Sequence, residues 1–149
     1  MRISTGTLDD VEELSVLFNE YRKFYGQAPD TENAIQFLRE RIMNNESVIF
    51  LSRSADGVLT GFVQLYPIFS STRMRRLWLL NDLFVATAFR GAGVSVALIE
   101  KAKTFSSETT SCGLLLETEK SNAIANGLYL KTGFTLDSNH NYYTWSDKG

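Results

Sequence analysis

The sequence predicts a mixed α/β domain with the element order β-αα-βββ-α-β-α-β. Three observations carry this. Two early segments repeat apolar residues at helical spacing, a run of strand-like segments follows between turn signals, and one strand leads into a glycine-rich turn that opens a further helix. The chain of 149 residues, 44% hydrophobic and 21% charged, fits a single domain over 1–149 whose core needs no disulfide or metal.

A short strand is expected from Arg2 to Thr5. Thr7 reads as a helix N-cap, with Asp9 and Asp10 placed at the positive end of the helix dipole. Val11, Leu14, Phe18, Tyr21 and Tyr25 then recur on one helix face. Gly26 and Pro29 punctuate. Asp30 or Thr31 caps a second helix carrying Ala34, Phe37, Leu38, Arg41 and Ile42, which Asn44-Asn45 stops.

Three strands are predicted next: Ser47 to Ser52, Val58 to Phe69 after the Asp56-Gly57 hairpin signal, and Met74 to Val85 after a turn at Ser70 to Arg73. A helix over Arg90 to Phe105 turns Val94, Ala97, Leu98 and Ala102 inward. Gly113 to Glu117 reads as a short strand, Asn122 to Lys131 as a helix, and Tyr142 to Trp145 as a last strand.

Composition narrows the function classes. A net charge of −2 argues against nucleic acid as the partner. Cys112 is the only cysteine, so neither an internal disulfide nor a cysteine metal cluster is available. The opening residues lack the apolar core of a secretory signal. The greasiest stretch, Leu77 to Val85, is broken by Asn81 and Asp82 and is too short to span a bilayer. The expectation is a cytoplasmic protein without a membrane partner.

The most informative segment is Leu83-Phe84-Val85-Ala86-Thr87-Ala88-Phe89-Arg90-Gly91-Ala92-Gly93-Val94-Ser95. Backbone N–H groups at a helix start lack intrahelical acceptors and, with the dipole behind them, suit a phosphate or pyrophosphate. Gly91 and Gly93 remove obstructing side chains, and Arg90 adds positive charge. A dinucleotide fingerprint fits poorly: its third glycine position is Val96, and five residues separate Val85 from Gly91.

Arg90-Gly91-Ala92-Gly93-Val94-Ser95 instead resembles the R/Q-x-x-G-x-G/A signature of the GNAT (Gcn5-related N-acetyltransferase) superfamily, with Ser95 departing from its last position. Asn122-Ala123-Ile124-Ala125-Asn126-Gly127-Leu128-Tyr129-Leu130-Lys131-Thr132-Gly133-Phe134 is similar to that family's second signature, N-x-x-A-x-x-L-Y-x-x-x-G-F. Leu80 to Val85 with Phe89-Arg90-Gly91, and Phe24-Tyr25-Gly26, are closest to the diamine and Hpa-type acetyltransferases.

The resemblance implies a mostly antiparallel central sheet splayed between strands 4 and 5, with acetyl-CoA as cosubstrate and no metal. It implies that Leu83, Phe84 and Val85 pair with the pantetheine arm, and that the Leu83 N–H stabilises the oxyanion. By the same resemblance Arg90, Gly91, Ala92, Gly93, Val94, Ser95 and Val96 cradle the pyrophosphate. Asn122 caps the late helix and bonds the pantetheine or product, while Tyr129 protonates the departing thiolate.

The base is open. Asp82 is the best carboxylate, but Asn81 and Leu79 stand where related enzymes carry glutamates, so Asp82 acts directly, acts through water, or binds substrate charge. Tyr25, Asp82 and Glu117 are the substrate-binding candidates. Gln64, Tyr66 and Tyr143 are further pocket candidates, against an ordinary core role. The expected reaction is direct transfer to a primary amine in a ternary complex, with a small cationic amine favoured. Protein lysine or N-terminal acetylation, and a non-catalytic acetyl-CoA-binding module, are the alternatives. A homodimer is compatible with the resemblance.

Overall fold

The computed structural model describes residues Met1–Lys148. Caps set its first elements. After β1 (Arg2–Thr5), the Thr7 N–H donates to the Asp10 carboxylate at 2.8 Å and closes a short 3-10 turn, from which α1 (Val11–Phe24) runs. Asp30 caps α2 (Thr31–Met43) by accepting from the Asn33 N–H, and Asn44 follows as its C-cap. β2 (Val48–Arg53), β3 (Leu59–Ser70) and β4 (Arg75–Val85) follow, then α3 (Val94–Glu108) and β5 (Leu114–Leu115). The strands form one sheet in the order β1-β2-β3-β4-β5, antiparallel except for the parallel β4–β5 pair.

Register assigns the faces. Phe62 lies opposite Phe84 and Leu51, and these pack with Val11, Leu14, Phe18 and Leu38 of the two early helices. Aromatic rings dominate this layer: Phe18 sits 6.1 Å from Phe62, and Tyr21 sits 5.8 Å from Phe62 and 5.9 Å from Phe84. On the opposite face α3 packs through Leu98 and Ile99. Phe105 of that helix meets Phe50 at 5.3 Å and Trp78 at 4.9 Å.

A bulge interrupts β4. Asp82 pairs with Gln64 but Leu80 pairs with Leu65, so Asn81 is the extra residue. Leu80 and Asp82 therefore point to opposite faces despite their spacing of two. Backbone phase changes as well: the Trp78 N–H donates toward β5, to Gly113 O, whereas the Ala86 N–H donates toward β3, to Thr60 O. In an uninterrupted strand these two positions would face the same way.

The residues divide into two compact units, Met1–Glu117 and a second from Thr118 onward. The second unit contains α4 (Ala123–Lys131), capped by the Asn122 side chain accepting from the Ala125 N–H. There Tyr129 and Phe134 stand edge to face at 5.6 Å.

Beyond shifts of one to three residues at element ends, the structure differs from the sequence expectation in three places. The third long helix starts at Val94 rather than Arg90, because Thr87–Phe89 forms a 3-10 turn and Gly91 and Gly93 adopt φ of 81° and 80°. Those values are incompatible with a right-handed helix. β5 holds two residues instead of Gly113 to Glu117. Tyr142 to Trp145, though strand-like in composition, carries no strand, since propensity forms no ladder without a paired edge. No helix among the described residues is long and apolar enough to cross a membrane.

Candidate active site

The bulge turns the Asp82 side chain toward α1 and α2. Its carboxylate accepts from Gln64 Nε2 at 2.6 Å and Asn81 Nδ2 at 3.0 Å, and the Tyr21 hydroxyl also hydrogen-bonds to it. Burial raises the Asp82 carboxyl above the ordinary range, and these three donors offset the rise only in part. Burial also raises the phenols of Tyr21 and Tyr66, with the Asp82 charge adding to both, so both remain protonated at neutral pH.

Gln64 is fully buried, and its Oε1 has no hydrogen-bond partner. Reversing the amide would aim that oxygen at the carboxylate. The amide is therefore oriented with its donor on Asp82.

Asp82 opens onto a cleft of about 380 Å³ lined by Phe18, Arg22, Asn33, Ala34, Phe37, Tyr66, Asn81 and Asp82. It lies within the first unit. Its walls are mostly apolar, with a few polar groups directed inward, as in sites for small molecules.

Leu83 supplies the second part of the site. The Ala86 N–H faces β3, so strand alternation turns the backbone groups of Leu83 and Val85 to the other edge of β4. β5 pairs only with Trp78 and Leu79, which leaves the stretch from Leu80 to Val85 without a strand partner on that edge among the described residues. An extended ligand with amide groups can add there as a strand would. Arg90 folds back on this edge, its Nε donating to Val85 O at 3.1 Å and its guanidinium lying 5.4 Å from the Phe84 ring centre.

The third part is the start of α3. The first intrahelical bond is from the Ala97 N–H to Gly93 O, and Gly93 offers no side-chain cap. The N–H groups of Val94, Ser95 and Val96 therefore lack helical acceptors. Gly91, Ala92 and Gly93 are exposed before them, and a Cβ at either glycine would meet nothing within 4 Å. These residues fit the diphosphate of a coenzyme A ligand: free donors, the positive end of a helix of 15 residues, and open space in front.

The first unit therefore brings Asp82, Leu83, Phe84, Val85 and residues 90–96 onto one strand-turn-helix segment. Tyr66 lines the cleft, whereas Gln64 is not among the lining residues and is a partner of Asp82. Tyr25, half exposed at the end of α1, packs on Tyr21 at 5.1 Å and is not among the cleft-lining residues. Glu117 is exposed, two residues beyond β5. Asn122, Tyr129 and Tyr143 belong to the second unit, where Asn122 makes its cap and Tyr143 is exposed.

Sequence reasoning missed Arg22, Asn33 and Phe37 of the cleft. Arg22 stands four residues after Phe18, and Phe37 four after Asn33, each pair on one helix face, but that spacing alone does not tell a cleft wall from an ordinary helix face.

The sequence pattern of the acetyltransferase (GNAT) family matches residues 12–134, and this chain belongs to that family. Over 143 residues it is 39% identical to the uncharacterized N-acetyltransferase YhfO of Bacillus subtilis (strain 168), covering 96% of this chain and 95% of that protein. A crystal structure of a probable acetyltransferase matches with a TM-score of 0.96 at 37% identity, over 100% of this chain and 99% of the other. A predicted acetyltransferase of Clostridium acetobutylicum, solved with acetyl-CoA, shares the fold alone. Its TM-score is 0.77 at 14% identity, over 96% of this chain and 95% of that one. The protein is an acyltransferase of a family that uses acetyl-CoA.

Proposed function

We propose that this enzyme moves the acetyl group of acetyl-CoA onto the primary amine of a small molecule by direct attack, with both substrates bound together. One observation carries the reading: consecutive residues of β4 present a buried carboxylate to a cleft, through Asp82, and a backbone N–H to an unpaired strand edge, through Leu83. A thioester lying along that edge supplies the electrophilic carbonyl.

The chain's own groups then divide the work. Asp82, held above the ordinary carboxyl range, accepts the ammonium proton directly or through water. The amine nitrogen bonds to the carbonyl carbon while the Leu83 N–H stabilises charge on its oxygen. The C–S bond breaks, the sulfur takes a proton, and the attacking nitrogen gives up its second proton to solvent as the neutral amide forms. Tyr129 is the proposed acid and Asn122 a proposed ligand of the cofactor, both on the support of the second sequence signature. The family pattern runs through both units, which supports treating 1–149 as one acetyltransferase domain.

The test is a calorimetric titration of the folded protein with CoA and acetyl-CoA, followed by release of free thiol over a panel of amines. Saturable binding and amine-dependent thiol release are expected. A folded protein with no affinity for either ligand would overturn the reading. Tyr129→Phe is expected to lower turnover while leaving acetyl-CoA affinity intact; unchanged turnover at saturating substrates removes the acid role.

A further inference from the structure

The cleft that holds Asp82 also holds a cation. Arg22 lines it from α1, and its guanidinium is anchored through one nitrogen only: Nη1 donates to Ala28 O at 2.8 Å and to Asn19 Oδ1 at 3.4 Å. Asn19 is itself buried and fixed by accepting the Asp30 N–H at 3.0 Å, so the guanidinium is held by the loop that links α1 and α2. Nε and Nη2 have no protein acceptor, and no ion pair to Arg22 forms, among the described residues.

Asp30 feels the charge of Arg22, which helps to lower its carboxyl, but forms no ion pair with it among the described residues. Its two oxygens accept from the Asn33 N–H at 3.2 Å and Asn33 Nδ2 at 2.7 Å, and these bonds, ahead of Arg22, hold its carboxyl below the ordinary range. Among the described residues, the only carboxylate lining the cleft is Asp82.

We infer that the acceptor is an amino acid-like zwitterion, its primary amine at Asp82 and its anionic group on the free donors of Arg22, with a short methylene spacer along Phe18, Ala34 and Phe37. This deepens the proposed acetyl transfer and rests on it. A cleft of about 380 Å³ corresponds to a sphere roughly 9 Å across, within the range of small-ligand sites, which suits a spacer of a few carbons. A guanidinium with unused donors in a fork geometry selects a carboxylate or a similar oxyanion. A diamine, by contrast, would place its second ammonium beside Arg22, and that like-charge contact discriminates against polycations.

The test keeps the amine and changes the far end: 4-aminobutanoate, n-butylamine and 1,4-diaminobutane, with shorter and longer homologues of each. The expected order of kcat/KM is carboxylate, then uncharged, then diamine, with at least about a tenfold span from first to last. Arg22→Gln is expected to collapse that span without changing acetyl-CoA affinity, and Arg22→Lys, which keeps the charge, to retain the order. Three results overturn the inference: a diamine or alkylamine equal to or better than the amino acid in the wild type, a span unaltered in Arg22→Gln, or no acceptor acetylated although acetyl-CoA binds. Absence of acetyl-CoA binding in the wild type removes the acyl-transfer reading underneath, and the inference with it.

Discussion

Gly61 couples the sheet to the helix that carries the proposed cofactor cradle, and replacing it with alanine tests that coupling. A Cβ there would lie 2.9 Å from Phe84 O, 3.0 Å from Val94 Cγ1 and 3.3 Å from Leu98 Cδ1. The first contact is with β4 backbone and cannot rotate away. The other two are side-chain ends in the first turns of α3, which must give by a few tenths of an ångström. Overpacking of this kind costs about 1–3 kcal/mol. Gly61 does not occupy the left-handed region, so alanine also recovers about 0.4–1 kcal/mol of unfolded-state entropy. The net expectation is a loss of about 1–2 kcal/mol, read as a fall of roughly 3–8 °C in thermal midpoint. Acetyl-CoA affinity should fall in parallel, because the donors of residues 94–96 shift away from β4. Adding Val94→Ala should recover part of the loss, giving a favourable coupling above about 0.5 kcal/mol in a double-mutant cycle. A Gly61→Ala midpoint at or above that of the wild type would refute the packing argument, and zero coupling would remove Val94 from it.

Asp82→Asn tests the base. A carboxyl raised by burial binds its proton more tightly folded than unfolded, so its contribution is most favourable below the ordinary carboxyl range. That contribution declines as pH climbs to the raised value, then stays flat. The variant should therefore be at least as stable as the wild type at neutral pH, as followed by urea denaturation, while acetyl transfer collapses. The acidic limb of the wild-type rate profile, displaced upward from ordinary carboxylates, should vanish with it; an intact limb in Asp82→Asn assigns the base elsewhere. Gly93→Ala meets no neighbour within 4 Å, so it tests conformation alone. The left-handed backbone should cost about 1–2 kcal/mol, seen as a lower midpoint and weaker CoA binding by calorimetry, and unchanged values for both would contradict it. Asn122→Ala should cost α4 about 1 kcal/mol by loss of the bond from the Ala125 N–H at 3.1 Å. Faster amide exchange in the first turn of α4, rescued by Asn122→Asp, is the expected signature, and unaltered exchange would show that the cap is idle.

The elements legible in the sequence were those with a local cause. The apolar spacing through Val11, Leu14 and Phe18, the Asp30 cap and the Asp56-Gly57 turn each depend on neighbours in sequence, and each stands as expected. The candidate site was legible where a motif fixes backbone, as in the turn at Gly91 and Gly93. It was not legible where two distant elements meet: Arg22 reaches the cleft because the α1–α2 loop anchors it, and nothing local to Arg22 states that.

The bulge at Asn81 lies between these cases. Strict alternation would have set Leu80 and Asp82 on one face, and that face could not serve as both core and cleft. The doublets Leu79-Leu80 and Asn81-Asp82 break the period and were the available sign. One inserted residue has two effects at once. It carries the Asp82 side chain from the α3 face to the cleft face, beside Gln64, and it reverses the backbone phase so that the Leu83 N–H turns from β3 to the open edge. Neither effect is useful to acyl transfer without the other, since a base aimed at the cleft requires the thioester carbonyl held within its reach. The side-chain and backbone requirements of the proposed chemistry are thus met by a single departure from regular strand geometry.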